Sequence, residues 1–170
     1  MTDVIVRQAV VTAPTQVVLQ RVPIPEPGLG EVRVRMSVVG ICGSDVHASH
    51  GRHPFVPLPY HPGHEVVGTV DATGPGAEMA AGTRVVVEPI LACGRCKYCL
   101  DGRYNLCATM SFFGCTAPTG GLADQFLLST RRSRPGSRAP GRLRLADVRS
   151  GGCRGSRRRG RAQSGAGCPS

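Results

Sequence analysis

Four cysteines crowd one short run, Cys93-Gly94-Arg95-Cys96-Lys97-Tyr98-Cys99, and Cys107 completes it in the spacing C-x2-C-x2-C-x7-C. Gaps this short let one loop wrap four thiolates around a tetrahedral ion, and soft sulfur ligands select zinc over hard cations. Gly94 and Gly102 supply the backbone turns that such a wrap needs. Four thiolates fill the coordination sphere and leave no position for a substrate. Cys93, Cys96, Cys99 and Cys107 are therefore expected to hold a structural zinc. The competing reading is two disulfides or four unrelated thiols, which such tight clustering disfavours.

A second candidate site lies upstream, where all five histidines fall between positions 47 and 64 and Cys42 lies just before them. A catalytic zinc takes three protein ligands and keeps one position for water or substrate. Cys42 and His64 suit it, each beside a glycine at a strand end, and the adjacent Glu65 can enter or leave the coordination sphere. Bound zinc lowers the pKa of a coordinated water or alcohol, and the released proton must leave a dry site. Ser44 can relay it and His47 can pass it to solvent, since imidazole titrates near neutrality. Taken singly, Ser44 reads as a turn hydroxyl and His47 as a surface histidine. The combination carries the reading. His50, His53 and His61 are read as loop residues with at most a role at the pocket mouth. Cys115 belongs to neither cluster and is read as a small buried apolar side chain, and Cys153 and Cys168 receive no role.

The elements that must position these residues read as short strands. Residues 4–12 and 16–22 are valine-rich and bounded by Pro14 and Pro23, as in a hairpin. Glu31 to Val39 alternates apolar and polar residues, the mark of a half-buried strand, and delivers Cys42. Residues 50–63 carry Pro54, Pro57, Pro59 and Pro62 and read as a loop. Val66 to Val70, Arg84 to Val87 and Leu122 to Leu128 read as further strands. Many short strands with Pro/Gly turns and few helical stretches predict an all-β barrel or sandwich.

Charge divides the chain. Residues 1–130 carry nine Lys+Arg against ten Asp+Glu, whereas residues 131–170 carry twelve Arg against the single Asp147. The overall net charge of +10 thus describes the C-terminal stretch. From position 129 the residues are mostly Arg, Ser, Gly, Pro and Ala, with one short apolar stretch from Leu143 to Val148, and disorder is expected over 129–170. A zinc module with a basic nucleic-acid-binding arm is the alternative. The near-neutral front, the lack of a recognition helix and the lack of aromatic residues among the arginines argue against it. No apolar run approaches the ~18 residues that span a bilayer. The N-terminus has no secretory h-region, so a cytoplasmic location is expected.

Three motifs together resemble the zinc-dependent medium-chain dehydrogenase/reductase (alcohol dehydrogenase) superfamily. Gly63 to Ala77 matches its signature GHE-x2-G-x5-G-x2-A, and the Cys42-Gly-Ser-Asp-Val-His47 segment and the four-cysteine lobe match as well. The segments Val86-Val87-Glu88-Pro89, Gly102 to Cys107 and Ser111-Phe112-Phe113 are most similar to the sorbitol/polyol dehydrogenase branch. The resemblance implies a mainly β, GroES-like β-barrel over residues 1–128, with a zinc lobe at 88–110. It implies a catalytic zinc associated with Cys42, His64 and Glu65, a proton relay through Ser44 and His47, and a structural zinc on the four lobe cysteines. A complete member oxidises a secondary alcohol or polyol with NAD(P), held by a Rossmann domain that follows the barrel, and is often a homo-oligomer. No G-x-G-x-x-G follows a strand here, so the Rossmann domain is expected to be absent and the chain inactive alone. A further acidic or thiol zinc ligand also lacks a counterpart. One lysine against 20 arginines points to GC-rich coding DNA, and the stretch from about 130 is expected to be read out of frame or truncated.

Overall fold

The computed structural model describes residues 3–130 and the backbone of Leu145–Asp147. Strands β1 (Val4–Ala13) and β2 (Gln16–Ile24) form the expected hairpin, turned at Thr15. β2 runs through Pro23, which pairs with Ile5; an edge strand can spare the missing N–H. Strand β3 (Glu31–Gly40) is followed by a helix α1 (Gly43–Ser49), and then by β4 (Glu65–Thr73) and β5 (Arg84–Val87). A short ribbon of β6 (Ile90–Leu91) and β7 (Ser111–Phe112) brackets the cysteine lobe, which holds helix α2 (Lys97–Leu100) and a single 3-10 turn at Tyr104–Leu106. Strands β8 (Gln125–Ser129) and β9 (Leu145–Asp147) complete the order β8-β3-β4-β5-β9, antiparallel throughout. Residues 122–124 tie the hairpin to this sheet: Ala9 N donates to Leu122 O, Asp124 N to Arg7 O, and Met36 N to Asp124 O. The domain is mainly β, as expected. No described helix is long and apolar enough to cross a membrane.

Alternation along the strands builds the core. Val32 and Val34 of β3, Val66 and Val70 of β4, and Val85 and Val87 of β5 pack with Phe113, Phe126 and Leu128. Each fully buried valine contributes roughly 1.5 kcal/mol or more by leaving water. The opposite face of β3 is not simply solvated. Arg33 is buried there, 3.2 Å from Asp71 and 3.3 Å from Glu26, and Arg35 also pairs with Asp71. A smaller cluster of Val11, Ala48, Val56 and Tyr60 seats α1 against the hairpin.

Two expectations need correction. Cys42 follows the end of β3 as expected, but no helix is expected after it and Ser44 taken singly reads as a turn hydroxyl, whereas Ser44 and His47 lie on α1. Seven residues are too few to display a helical period. Burial of Ala48, and the bond from Cys42 N to Asp45 Oδ2 at 3.0 Å, hold this helix instead. Disorder was expected throughout 129–170. Ser129 belongs to β8, and Thr130 is buried and bonded to Gly30, so the domain runs through Thr130. Leu145–Asp147 pairs with Val85, Val86 and Val87. An open strand edge is a row of unpaired N–H and C=O groups, and the backbone of Leu145–Asp147 pairs with it. The remaining residues of the Arg-rich segment, 131–144 and 148–170, lie outside the described residues.

Candidate functional site

The lobe gathers its four cysteines as the spacing predicts. Their sulfurs all lie within 4.8 Å of one another. Cys93 and Cys99 are 3.9 Å apart, and Cys96 and Cys99 are 3.5 Å apart. Four sulfurs at about 2.3 Å from one tetrahedral ion would be about 3.8 Å apart, so the donor set fits zinc. None of the six described cysteines is in a disulfide. Backbone N–H groups converge on the sulfurs: Cys96 N donates to Cys93 Sγ at 3.4 Å, and Cys93 N to Cys107 Sγ at 3.3 Å. The N–H groups of Arg95 and Cys96 draw the Cys93 thiol down to about 6. Burial, then the hydrogen bond shared with Cys96, pushes Cys99 up to about 12. Burial works against ionisation of Cys107, but the N–H groups of Cys93 and Thr109 outweigh it and lower that thiol. Unequal thiols this close cannot all ionise unaided. A divalent cation among them deprotonates a coordinating thiol outright.

The second cluster is assembled across the sheet. β3 delivers Cys42 through its last residues, and β4 begins at Glu65, directly after His64. One ligand atom from each of Cys42, His64 and Glu65 lies within 4.8 Å of the others. Cys42 Sγ is 3.2 Å from His64 Nε2. The other ring nitrogen, Nδ1, faces Asp45 Oδ1 at 3.4 Å. That oxygen is buried and has no hydrogen-bond partner, while Asp45 Oδ2 accepts from Cys42 N. An orphan buried carboxylate oxygen aimed at Nδ1 favours a proton there and leaves the Nε2 lone pair free for a metal, the usual carboxylate–histidine–metal arrangement. The residues therefore fit a three-ligand zinc.

Close backbone packing fixes the histidine. Gly63 has φ of 94°, which a side chain would strain, and a Cβ there would meet Leu122 N at 2.6 Å. Gly114 presses on the Gly63 carbonyl from another side, and Gly121 N donates to that carbonyl at 2.7 Å. The Phe112 ring stands edge-on to His64 with centroids 5.7 Å apart. Asp45 and Phe112 are site residues that sequence reasoning missed. Asp45 enters the sequence reading only as part of the Cys42–His47 motif, and Phe112 only within the Ser111-Phe112-Phe113 segment.

The remaining candidates separate. Ser44 Oγ lies 2.8 Å from Cys42 Sγ, and His47 sits one turn further along α1, exposed. His50 caps the end of α1, with Nδ1 2.8 Å from Val46 O, and His53 Nδ1 accepts from Phe55 N at 3.2 Å. Burial lowers the His61 imidazole. Cys115 was read as unrelated to either cluster, yet its Sγ lies 4.0 Å from His64 Nδ1. It is only partly buried and packs against the small core of α1. Burial, then the charges of Asp45 and Cys42, push this thiol up to about 11 and keep it protonated.

Comparison with known proteins gives the same family throughout. The family model for the alcohol dehydrogenase GroES-like domain matches residues 28–135. The chain is 40% identical over 128 residues to the starvation-sensing protein RspB of Escherichia coli K12, covering 75% of this chain and 38% of that protein. It is 37% identical over 125 residues to the sorbitol dehydrogenase of Bacillus subtilis, covering 71% of this chain and 35% of that protein. A crystal structure of an Escherichia coli alcohol dehydrogenase complexed with NADH superposes with a TM-score of 0.68 at 36% identity, over 75% of this chain and 37% of the other. The chain thus spans less than two-fifths of the length of these relatives. With this match over more than half its length, the chain belongs to the alcohol dehydrogenase GroES-like domain family, within the zinc-type medium-chain dehydrogenase superfamily.

Proposed function

We propose that residues 1–130 are the zinc-binding catalytic domain of an alcohol or polyol dehydrogenase that oxidises a secondary alcohol with NAD(P). The convergence of Cys42, His64 and Glu65, with the buried Asp45 behind the histidine, carries this reading. These three residues would hold the catalytic zinc, and Cys93, Cys96, Cys99 and Cys107 the structural one. The catalytic zinc supplies a Lewis acid that acidifies a bound alcohol. Ser44, beside Cys42, would relay the proton, passing on its own hydroxyl proton as it accepts the one released. His47, at i+3 on the same helix face, carries it to solvent. Asp45 holds the His64 tautomer. Reduced thiols committed to metal suit the cytoplasm. The NADH in the superposed relative supports NAD(P) use by a longer protein, whose further length would hold the coenzyme. The arginine-rich composition from residue 131 supports reading that stretch as out of frame.

The test is to translate the coding DNA from codon 120 in all three frames and to express the longest continuous product. Two zinc ions per chain and secondary-alcohol-dependent reduction of NAD or NADP are expected. His64→Gln should release only the more weakly held zinc and abolish turnover. Two bound zincs with no alcohol-dependent reduction of either coenzyme would overturn the dehydrogenase reading. Simultaneous loss of both ions in His64→Gln would overturn the separation of the sites.

A further inference from the structure

We propose that Gly40 is a positioning residue for Glu65. By having no side chain, it leaves the space in which the Glu65 carboxylate lies against Cys42 and His64. The inference rests on the ligand set proposed above. Gly40 is the last residue of β3 and pairs directly with Glu65, the first of β4. A methyl group at position 40 would sit 2.5 Å from Glu65 Oε2, 3.2 Å from its Cβ and 3.6 Å from its Cδ. Residues opposed across an antiparallel pair ordinarily keep their Cβ atoms about 4.5–5.5 Å apart. The two strands are therefore close at this pair, and the close approach lets the carboxylate lie toward the Cys42–His64 cluster.

Other reasons for a glycine do not apply at this position. Gly40 is not among the glycines with positive φ, so its backbone needs no special freedom. The three atoms nearest a Cβ at position 40 all belong to Glu65, so it yields to no core residue. A glycine within a strand weakens it, and often marks a close approach. Here the group approached is a flexible and exposed side chain. A methyl at 40 would leave the fold standing and push the carboxylate out toward water, away from Cys42 and His64.

The test is a zinc titration of the 170-residue chain against a chromophoric chelator, with thermal melting alongside. It compares wild type, Gly40→Ala, Glu65→Gly and the double variant. Gly40→Ala should weaken the second zinc about tenfold, in the range seen when groups that orient a ligand are lost. Glu65→Gly should weaken it at least as much, and adding Gly40→Ala to Glu65→Gly should change nothing further. The four-cysteine zinc should be untouched in all of them. A loss in Glu65→Gly with none in Gly40→Ala overturns this inference and leaves the ligand set standing. No loss in either variant removes Glu65 from the site and overturns both. Should Gly40→Ala fold poorly, the double variant decides, because it removes every Glu65 atom that the methyl meets. Melting below Glu65→Gly alone would mean that the strand itself needs the glycine, and the proposal falls.

Discussion

The lobe draws its four sulfurs from one loop, residues 93–107, hung on a two-pair ribbon of β6 and β7. The Cys42–His64–Glu65 cluster draws its candidate ligands from the link between β3 and α1 and from the entry to β4, clamped by glycines from residues 114–121. The described lobe has little apolar burial of its own: Leu100, Leu106 and Met110 are exposed, and α2 has no buried residue. The second cluster sits beside a valine core that exists without any metal. The difference teaches which way energy flows in each. If the four thiols hold zinc as proposed, the ion would supply much of the stability that the lobe's backbone hydrogen bonds and exposed contacts around Tyr98 do not. In the cluster the chain itself brings Cys42, His64 and Glu65 together and places Asp45 behind the histidine, so an ion bound there as proposed would add little to the fold.

The largest effect expected from this contrast is in the lobe. Cys96→Ser should release about one zinc per chain and unfold residues 93–107, because binding energy at such a site is folding energy, on the order of 10 kcal/mol in isolated zinc modules. Metal analysis and limited proteolysis within the lobe would register it. The β3–β4–β5 sheet should keep its cooperative melt. An unchanged zinc content and an intact loop would break the contrast at its root.

A smaller effect is expected behind the second cluster. Asp45→Asn keeps an oxygen for the Cys42 N–H and keeps the shape, but removes the charge that faces His64 Nδ1. The second zinc should bind about tenfold more weakly with α1 still in place, as is usual for carboxylates behind a ligating histidine. Chelator competition measures this against the unchanged lobe zinc. Equal weakening of both ions would mean that the two sites are not built independently.

The same contrast explains what could be read from the sequence. The convergence of the four lobe sulfurs was legible because these cysteines are neighbours in the chain. Spacing alone states their geometry. Strands β3 and β5 were legible because valine alternation is local. Cys42 and His64 are 22 positions apart, and only the register of Gly40 against Glu65 brings them together. No periodicity encodes that register. Asp45 escaped notice because its role depends on a ring delivered from another strand. Helix α1 escaped because its buried apolar residue, Ala48, meets residues from β1 and from the loop before β4. β9 escaped because three residues carry no pattern and pair only with an edge that folding creates.

The sheet that frames the second cluster can also be probed through its own charges. Hydrogen bonding from Arg35, and then from Arg33, holds the Asp71 carboxyl below its ordinary value, against an opposing effect of burial. A carboxyl with a folded pKa below the unfolded value of about 3.9 gives stability that is fully present above that value. The stability is lost as pH falls through the folded pKa. Arg35 is largely exposed, so its share is screened, and the group as a whole is worth about 1 kcal/mol. Asp71→Asn should therefore lower the melting temperature by a few degrees at neutral pH and flatten the acid loss of stability below about pH 4. Arg7 and Asp124 add a weaker effect of the same sign. That pair remains intact in the variant, so the residual slope belongs to it. The lobe carries no part of this network. Proteolysis of residues 93–107 in zinc-loaded protein should thus be equal in wild type and Asp71→Asn. A lobe that loosened with the sheet would mean that the ion there leans on the barrel after all.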